Sequence, residues 1–219
     1  MNTDSARAAI LAQIRARQGR PAALHDLEAA DAEVDIGRHV RGPQPKIADR
    51  IAGFTTQALA LQTSVARVAS AQDVPPEVAA YLREQALPLQ GVAWETLADL
   101  PWVDAGVTLE FRSPRDEDKL GITGCFCVVA ETGSLVLASS PATPSSTHLL
   151  PETHIAIVPA SRIVATLEDA YALLRAELGD LPRALSTVSG PSRTGDIEQT
   201  IVLGAHGPYR VHVVIVDAA

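Results

Sequence analysis

Arg210-Val211-His212-Val213-Val214-Ile215-Val216 is a run in which nearly every side chain is β-branched or apolar. Such a strand suits the middle of a parallel sheet, where both faces are covered and the alternation of a half-exposed strand disappears. Working outward, Thr166 caps a helix over 167–178, on which Tyr171, Leu174 and Leu178 share a face and which Gly179 stops. Strand-forming runs lie at His154–Val158, Ser134–Ala138 and Thr123–Ala130, the last two joined by the tight turn Glu131-Thr132-Gly133. A further strand, Val107–Phe111, opens this part. Strands and helices in this order predict an α/β fold: a mostly parallel sheet with flanking helices.

Upstream of the sheet part, placed at 106–217, the sequence reads as helical over 46–100. Ile47, Ile51, Phe54, Ala58, Leu61, Val65 and Val68 recur in steps of three and four, predicting one helix from Lys46 to Ala71. Its stripe packs either on the domain's own sheet or, as a coiled-coil seam, on a second copy, which would make a homo-oligomer. Pro75-Pro76-Glu77 opens a helix to about Gln85, and Val92, Trp94, Leu97 and Leu100 suit a short one between 89 and 102. Both tryptophans read as core filling or a subunit contact. Residues 1–45 form a helical N-terminal extension. A helix over about 4–18 carries Ile10, Leu11 and Ile14, Gly19-Arg20-Pro21 ends it, and a connector poor in large apolar residues follows.

Composition narrows the function. A net charge of −8 over 219 residues argues against binding a phosphate backbone, which relies on clustered Lys and Arg, so nucleic acid is not expected as a partner. No apolar run approaches the roughly 20 residues of a membrane span, and the first residues do not resemble a secretory leader, so a cytoplasmic protein is expected. Cys125 and Cys127 stand one residue apart, too close for an unstrained disulfide on a strand, and lack the repeated spacing that holds an iron–sulfur cluster. Reduced, buried thiols are expected. His148, His154, His206 and His212 show no metal-ligand spacing, so no metal is expected either.

The most ligand-like stretch is Ser189-Gly190-Pro191-Ser192-Arg193-Thr194-Gly195-Asp196-Ile197-Glu198. It follows a strand at 184–188, turns at Gly190-Pro191, and offers Asp196 as the cap of a helix beginning near Ile197. Ser189, Gly190, Ser192 and Thr194 can surround an anion that Arg193 neutralises. The competing reading is an αβ turn whose hydroxyls serve their own backbone and whose arginine pairs with Asp196 or Glu198. The charged run Arg115–Lys119 reads as solvated surface.

Four segments in order, Ala130-Glu131-Thr132-Gly133-Ser134-Leu135-Val136-Leu137, Leu150-Pro151-Glu152-Thr153-His154-Ile155, Ser189–Glu198 and Leu203-Gly204-Ala205-His206-Gly207-Pro208, resemble the lactate-utilization domain family. Within that family the chain looks like the small, cluster-free members. The resemblance is strong over about 106–217 and rests only on length and layout before that. It implies an α/β domain over 46–219, similar to the sugar-phosphate isomerase and CoA-transferase group. It also implies an accessory or regulatory role beside iron–sulfur lactate-utilization proteins that oxidise L-lactate, with no cofactor in this chain and the clusters in the partner subunits. A small anionic ligand would then sit among Thr132, Gly133, the 189–196 loop, His206 and Gly207. Glu131 and His154 are the candidates for acid–base or nucleophilic chemistry, on the alternative that the chain is an independent enzyme of the CoA-transferase or isomerase type. Between Ser139 and His148 the chain has no Lys or Arg where the family commonly carries a basic residue. This weakens the enzyme alternative, and it leaves His148 as either a substitute or an exposed loop histidine.

Overall fold

A computed structural model of the chain describes residues 4–19, 45–194, 202–204 and 206–218. The chain divides into two compact units at Pro43 and Gln44. In the first, helix α1 (Asp4–Gln18) ends with Arg15 and Arg17 in its last turn, where cations suit the negative end of the helix. Its Ile10, Leu11 and Ile14 are exposed.

In the second unit, helix α2 (Arg50–Ala60) leads into strand β1 (Ser64–Ser70), and helix α3 (Val74–Glu84) follows. Then come the short strands β2 (Gln90–Ala93), β3 (Thr108–Glu110), β4 (Leu120–Thr123), β5 (Cys127–Val129) and β6 (Ser134–Ala138). The single turn α4 (Ser146–Leu149) precedes strands β7 (Thr153–Pro159) and β8 (Ile163–Val164) and helix α5 (Leu167–Leu178). Strands β9 (Leu185–Val188), β10 (Arg193–Thr194), β11 (Val202–Leu203) and β12 (Arg210–Ala218) complete the order.

Six of these strands form one sheet in the order β1-β12-β7-β4-β2-β3, and every pairing in it is parallel. The terminal valine run is β12, between β1 and β7, with Val211–Val216 buried. Its alternate residues enter different cores. Val214 and Val216 join Ile155, Ile157 and the inner side of α3, while Val211, Val213 and Ile215 join Ala156, Val158, Phe54 and Ala58 of α2. The second core is closed by a four-stranded sheet, β8-β5-β6-β9, through Val128, Leu135 and Leu137. The far face of that sheet packs Cys127, Val129 and Val136 against Ala170 and Leu174 of α5. Each fully buried aliphatic side chain contributes roughly 1.5–3 kcal/mol.

Three readings of the sequence are corrected. The stripe from Ile47 to Val68 is not one helix. Backbone at Gln62 turns to φ 66, ends α2, and sends the chain into β1, which pairs with β12 from Ser64–His212 to Ser70–Ala218. Val65 then faces the α2 core and Val68 the α3 core, so a helical spacing came from two elements of different period. The stretch 89–102 begins as strand β2 because Val92 and Ala93 find β4, and only Glu95–Leu97 makes a helical turn. The run 123–130 breaks at Gly124-Cys125 as the chain leaves the six-stranded sheet after β4 and enters the four-stranded one at β5. Trp94 and Trp102 fill core volume, each donating its indole N–H to a backbone carbonyl, of Pro144 and Leu97 respectively.

Gly133 has φ +66, and a Cβ there would stand 2.7 Å from the backbone nitrogen of Ala58 in α2. Gly133→Ala is expected to lower stability by roughly 2–4 kcal/mol through strain and overpacking, read as a lower denaturant midpoint with an unchanged m-value.

Candidate functional site

The Glu131 turn is built on the end of α2. Gly133 N donates to Val129 O at 2.9 Å, closing the turn, and Glu131 N donates to Ala165 O at 3.0 Å, tying it to the segment after β8. The Glu131 side chain is half-buried. Thr132 Oγ1 and Ser134 Oγ are 2.7 Å apart, and Ser134 Oγ is 2.7 Å from Ser189 Oγ, so three hydroxyls form a chain from the turn to the start of the predicted ligand loop. Gly190, with φ +83, lies against the carbonyl of Leu61 just beyond α2. Arg193 crosses to the same place and donates from one Nη to Leu61 O at 3.1 Å and to Gln62 Oε1 at 2.9 Å. An arginine there answers the negative end of the helix dipole.

A second group links the two loops that follow β9. Ser192 N donates to Pro208 O at 2.7 Å, Gly204 N donates to Ser192 O at 2.9 Å, and Gly207 lies beside the Ser192 side chain. His206 is exposed in this group, and Thr194 belongs to the ladder of β10 with β11. Asp196 and the helix expected near Ile197 lie outside the described residues. The structure therefore brings Thr132, Gly133, Ser189, Gly190 and Arg193 together at the end of α2, and Ser192 with Gly207 beside them. His154 is not among these groups.

His154 is fully buried within the six-stranded sheet. It points to the face covered by the four-stranded sheet, level with Gly121 of β4. Gly121 has no Cβ, and one placed there would fall on the carbonyl oxygen of Thr147, so only glycine lets α4 settle directly on the sheet. That approach carries His148 inside. It is 1% exposed, its ring centroid is 5.9 Å from that of His154, and Trp94 meets it edge-on at 6.4 Å. His154 Nε2 shares a 2.8 Å hydrogen bond with Thr123 Oγ1. Both nitrogens of His148, Nδ1 of His154 and Oγ1 of Thr147 have no hydrogen-bond partner in the protein.

Burial sets the protonation of this pair. Desolvation pulls His148 from an ordinary value of 6.5 to about 4, and desolvation together with the neighbouring His148 pulls His154 to about 3. Both rings are neutral at physiological pH, and each presents one N–H donor and one lone-pair acceptor. His212 is also buried, on the opposite face of the sheet. It stacks on Tyr81 at 3.8 Å, shares a 2.9 Å hydrogen bond with Ser64 Oγ, and is lowered to about 4 by desolvation.

The charged run after β3 does more than meet solvent. Arg112 binds Asp118 with both amino groups, at 2.6 and 3.1 Å, and reaches Glu110 at 2.7 Å, along a cleft of about 320 Å³. The arginine holds the Asp118 carboxyl below the usual range, so the charges lining the cleft are largely compensated.

Comparison with known proteins places these residues. The family model described as the LUD domain matches residues 99–216, more than half of the chain. The chain belongs to the LUD domain family. Lactate utilization protein C of Bacillus licheniformis is 37% identical over 117 residues, 52% of this chain and 49% of the relative. Lactate utilization protein C 1 of Bacillus mycoides is 44% identical over 101 residues, 45% and 43% of the two chains. The protein of that name from Macrococcus caseolyticus is 38% identical over 143 residues, 58% and 61%. The chain thus spans about half the length of the curated relatives it matches. A solved DUF162 family protein from Deinococcus radiodurans superposes with a TM-score of 0.59 at 24% identity, covering 77% of this chain and 97% of its own, and shares the fold. Within the LUD domain match fall Glu131, His148, His154, the described part of the 189–196 loop and His206.

His148 is the residue that the sequence left open, between a substitute for the missing basic residue and an exposed loop histidine. It is neither exposed nor a cation, and the one signal for its burial was Gly121, a residue whose partner lies 26 positions away in Thr147. Two outcomes are expected. Because three histidines have folded-state values below 6.5, the unfolded chain binds more protons in acid. Stability should be full above about pH 6.5 and fall toward pH 4, by up to roughly 1.4 kcal/mol per pH unit for each histidine, as read from urea midpoints across that window. Arg193→Ala should lower stability by about 1 kcal/mol through loss of the bonds to Leu61 and Gln62, measured in the same way; an unchanged midpoint would show that the arginine does not brace α2.

Proposed function

We propose that the chain acts in lactate utilization as an accessory or regulatory subunit that binds a small anionic molecule, while iron–sulfur proteins beside it carry the electrons. The observation that carries this reading is the likeness to lactate utilization protein C from several organisms, beside a LUD domain match over 99–216 that holds the Glu131 turn, the buried histidine pair and the 189–193 loop. The thiols support a non-redox role for this subunit. The chain has two cysteines, Cys125 and Cys127, too few to hold an iron–sulfur cluster by themselves. Two free thiols suit a reducing compartment, the cytoplasm. Among the described residues no helix is long and apolar enough to cross a membrane.

The test is affinity purification of the intact chain from its native cell under anaerobic conditions, with growth on L-lactate and mass spectrometry of what co-elutes. Recovery of iron–sulfur proteins enriched on lactate relative to a non-lactate carbon source is expected. Their consistent absence under gentle, oxygen-free conditions removes the accessory role.

A further inference from the structure

Strands β6 and β9 pair from Leu135–Val188 to Ala138–Leu185, and beyond that last pair lies a cavity of about 680 Å³ lined by Ser139, Ser140, Pro141, Ser145, Arg183 and Ala184. Its volume falls within the roughly 300–1,000 Å³ of small-molecule sites. The stretch 139–148 contains no Lys or Arg. The ladder supplies a charge from the facing strand, because Arg183 stands just before β9.

The wall is held in place without engaging the groups that a ligand would need. Ser139 N donates to Ala184 O at 3.0 Å, and Ala184 N donates to Ser139 Oγ at 2.8 Å. That hydroxyl serves the fold as an acceptor and keeps its own proton to donate. Thr143 N donates to Ser140 O at 3.1 Å, Pro141 and Pro144 restrict the backbone between β6 and α4, and the Trp94 indole donates to Pro144 O at 3.1 Å. The Ser145 hydroxyl and the Arg183 guanidinium have neither a hydrogen bond nor an ion pair among the described residues.

Other clefts carry their own counter-charge. Glu110, Glu117 and Asp118 line the cleft at Arg112, and in the groove between α2 and β1 Arg67 binds Asp217 at 2.7 Å. Arg193 is engaged by Leu61 and Gln62. No Asp or Glu lines the 680 Å³ cavity, so its guanidinium and hydroxyls are left to an anion. A planar carboxylate has two oxygens, which a guanidinium fork takes by itself. A phosphate monoester has a third terminal oxygen, which gives the serine hydroxyls, at other points of the wall, an acceptor as well. Pro141 and Ala184 add apolar wall for the rest of such a molecule.

We propose that this cavity binds the phosphate group of a small phosphorylated molecule, with Arg183 as counter-ion and Ser139 and Ser145 as hydrogen-bond donors. The place and the phosphate rest on the geometry, and the existence of a ligand rests on the reading of the chain as a subunit that binds a small anion.

The intact chain, labelled with ¹⁵N, is titrated at constant ionic strength with phenyl phosphate, with inorganic phosphate and with benzoate. Expected are saturable shifts of the Ser139, Ser140, Ser145 and Ala184 amides with both phosphates. Phenyl phosphate should bind at least about tenfold more tightly than benzoate, and Arg183→Gln should weaken its binding by at least about tenfold at an unchanged urea midpoint, since that side chain has no partner in the fold. Ser145→Ala should weaken it at least about threefold and decides the matter if the arginine variant folds poorly. Shifts that are absent, that survive Arg183→Gln undiminished, that benzoate reproduces at equal affinity, or that fall instead on the Ser189–Arg193 loop overturn the proposal. Phosphate binding at these amides by a chain that recovers no iron–sulfur partner keeps the site and removes only the accessory role. A recovered partner with no phosphate response removes the site and keeps the role.

Discussion

The second unit depends on one constraint: β12 pairs in parallel on both edges and must be dry on both faces. A parallel sheet has no solvent-facing side to spare, so every strand beside β12 needs cover above and below. The chain supplies it asymmetrically. Helix α3 covers one face through Val74, Val78 and Leu82, and the other is shared by α2 and a second sheet through Phe54, Ala58, Leu135 and Leu137. Helix α5 then covers the outside of the second sheet. The passage from β4 to β5 at Gly124-Cys125 joins the two sheets.

Polar groups caught inside this layering acquire their character from it. His154 and His212 occupy neighbouring strands at nearly the same level and point to opposite faces, and both are neutral because burial penalises the charged ring. His212 stacks on Tyr81 and bonds Ser64 through Nδ1, while its Nε2 has no partner in the protein. His154 instead faces His148, delivered by a four-residue helix that reaches the sheet only because Gly121 has no side chain.

The loop at 189–193 shows how one set of residues can satisfy two descriptions. Its glycine, hydroxyls and guanidinium suit an anion, and all of them also have bonds or close contacts within the fold. Ser189 completes a hydroxyl chain with Ser134 and Thr132, Gly190 lies on the carbonyl of Leu61, and Arg193 donates to Leu61 and Gln62. The Leu61 carbonyl and the Gln62 side-chain oxygen, just beyond α2, are the acceptors that the structure presents to this arginine.

By itself the sequence determined the α/β class, the central place of Val211–Val216, the capped helix 167–178 and the turn at Glu131, because these depend on composition and period over a few adjacent residues. LUD family membership was legible too, since it rests on short motifs kept in order. What only the tertiary structure decided was where local period yields to distant pairing. Val65 and Val68 continue a helical spacing in the sequence, yet they form a strand because β12, about 150 residues away, offers the hydrogen bonds. His148 reads as a loop residue, yet it is buried because α4 packs on Gly121. Both cases turn on contacts whose free energy is gained only after the chain has closed a long loop, and no window of local sequence contains that term.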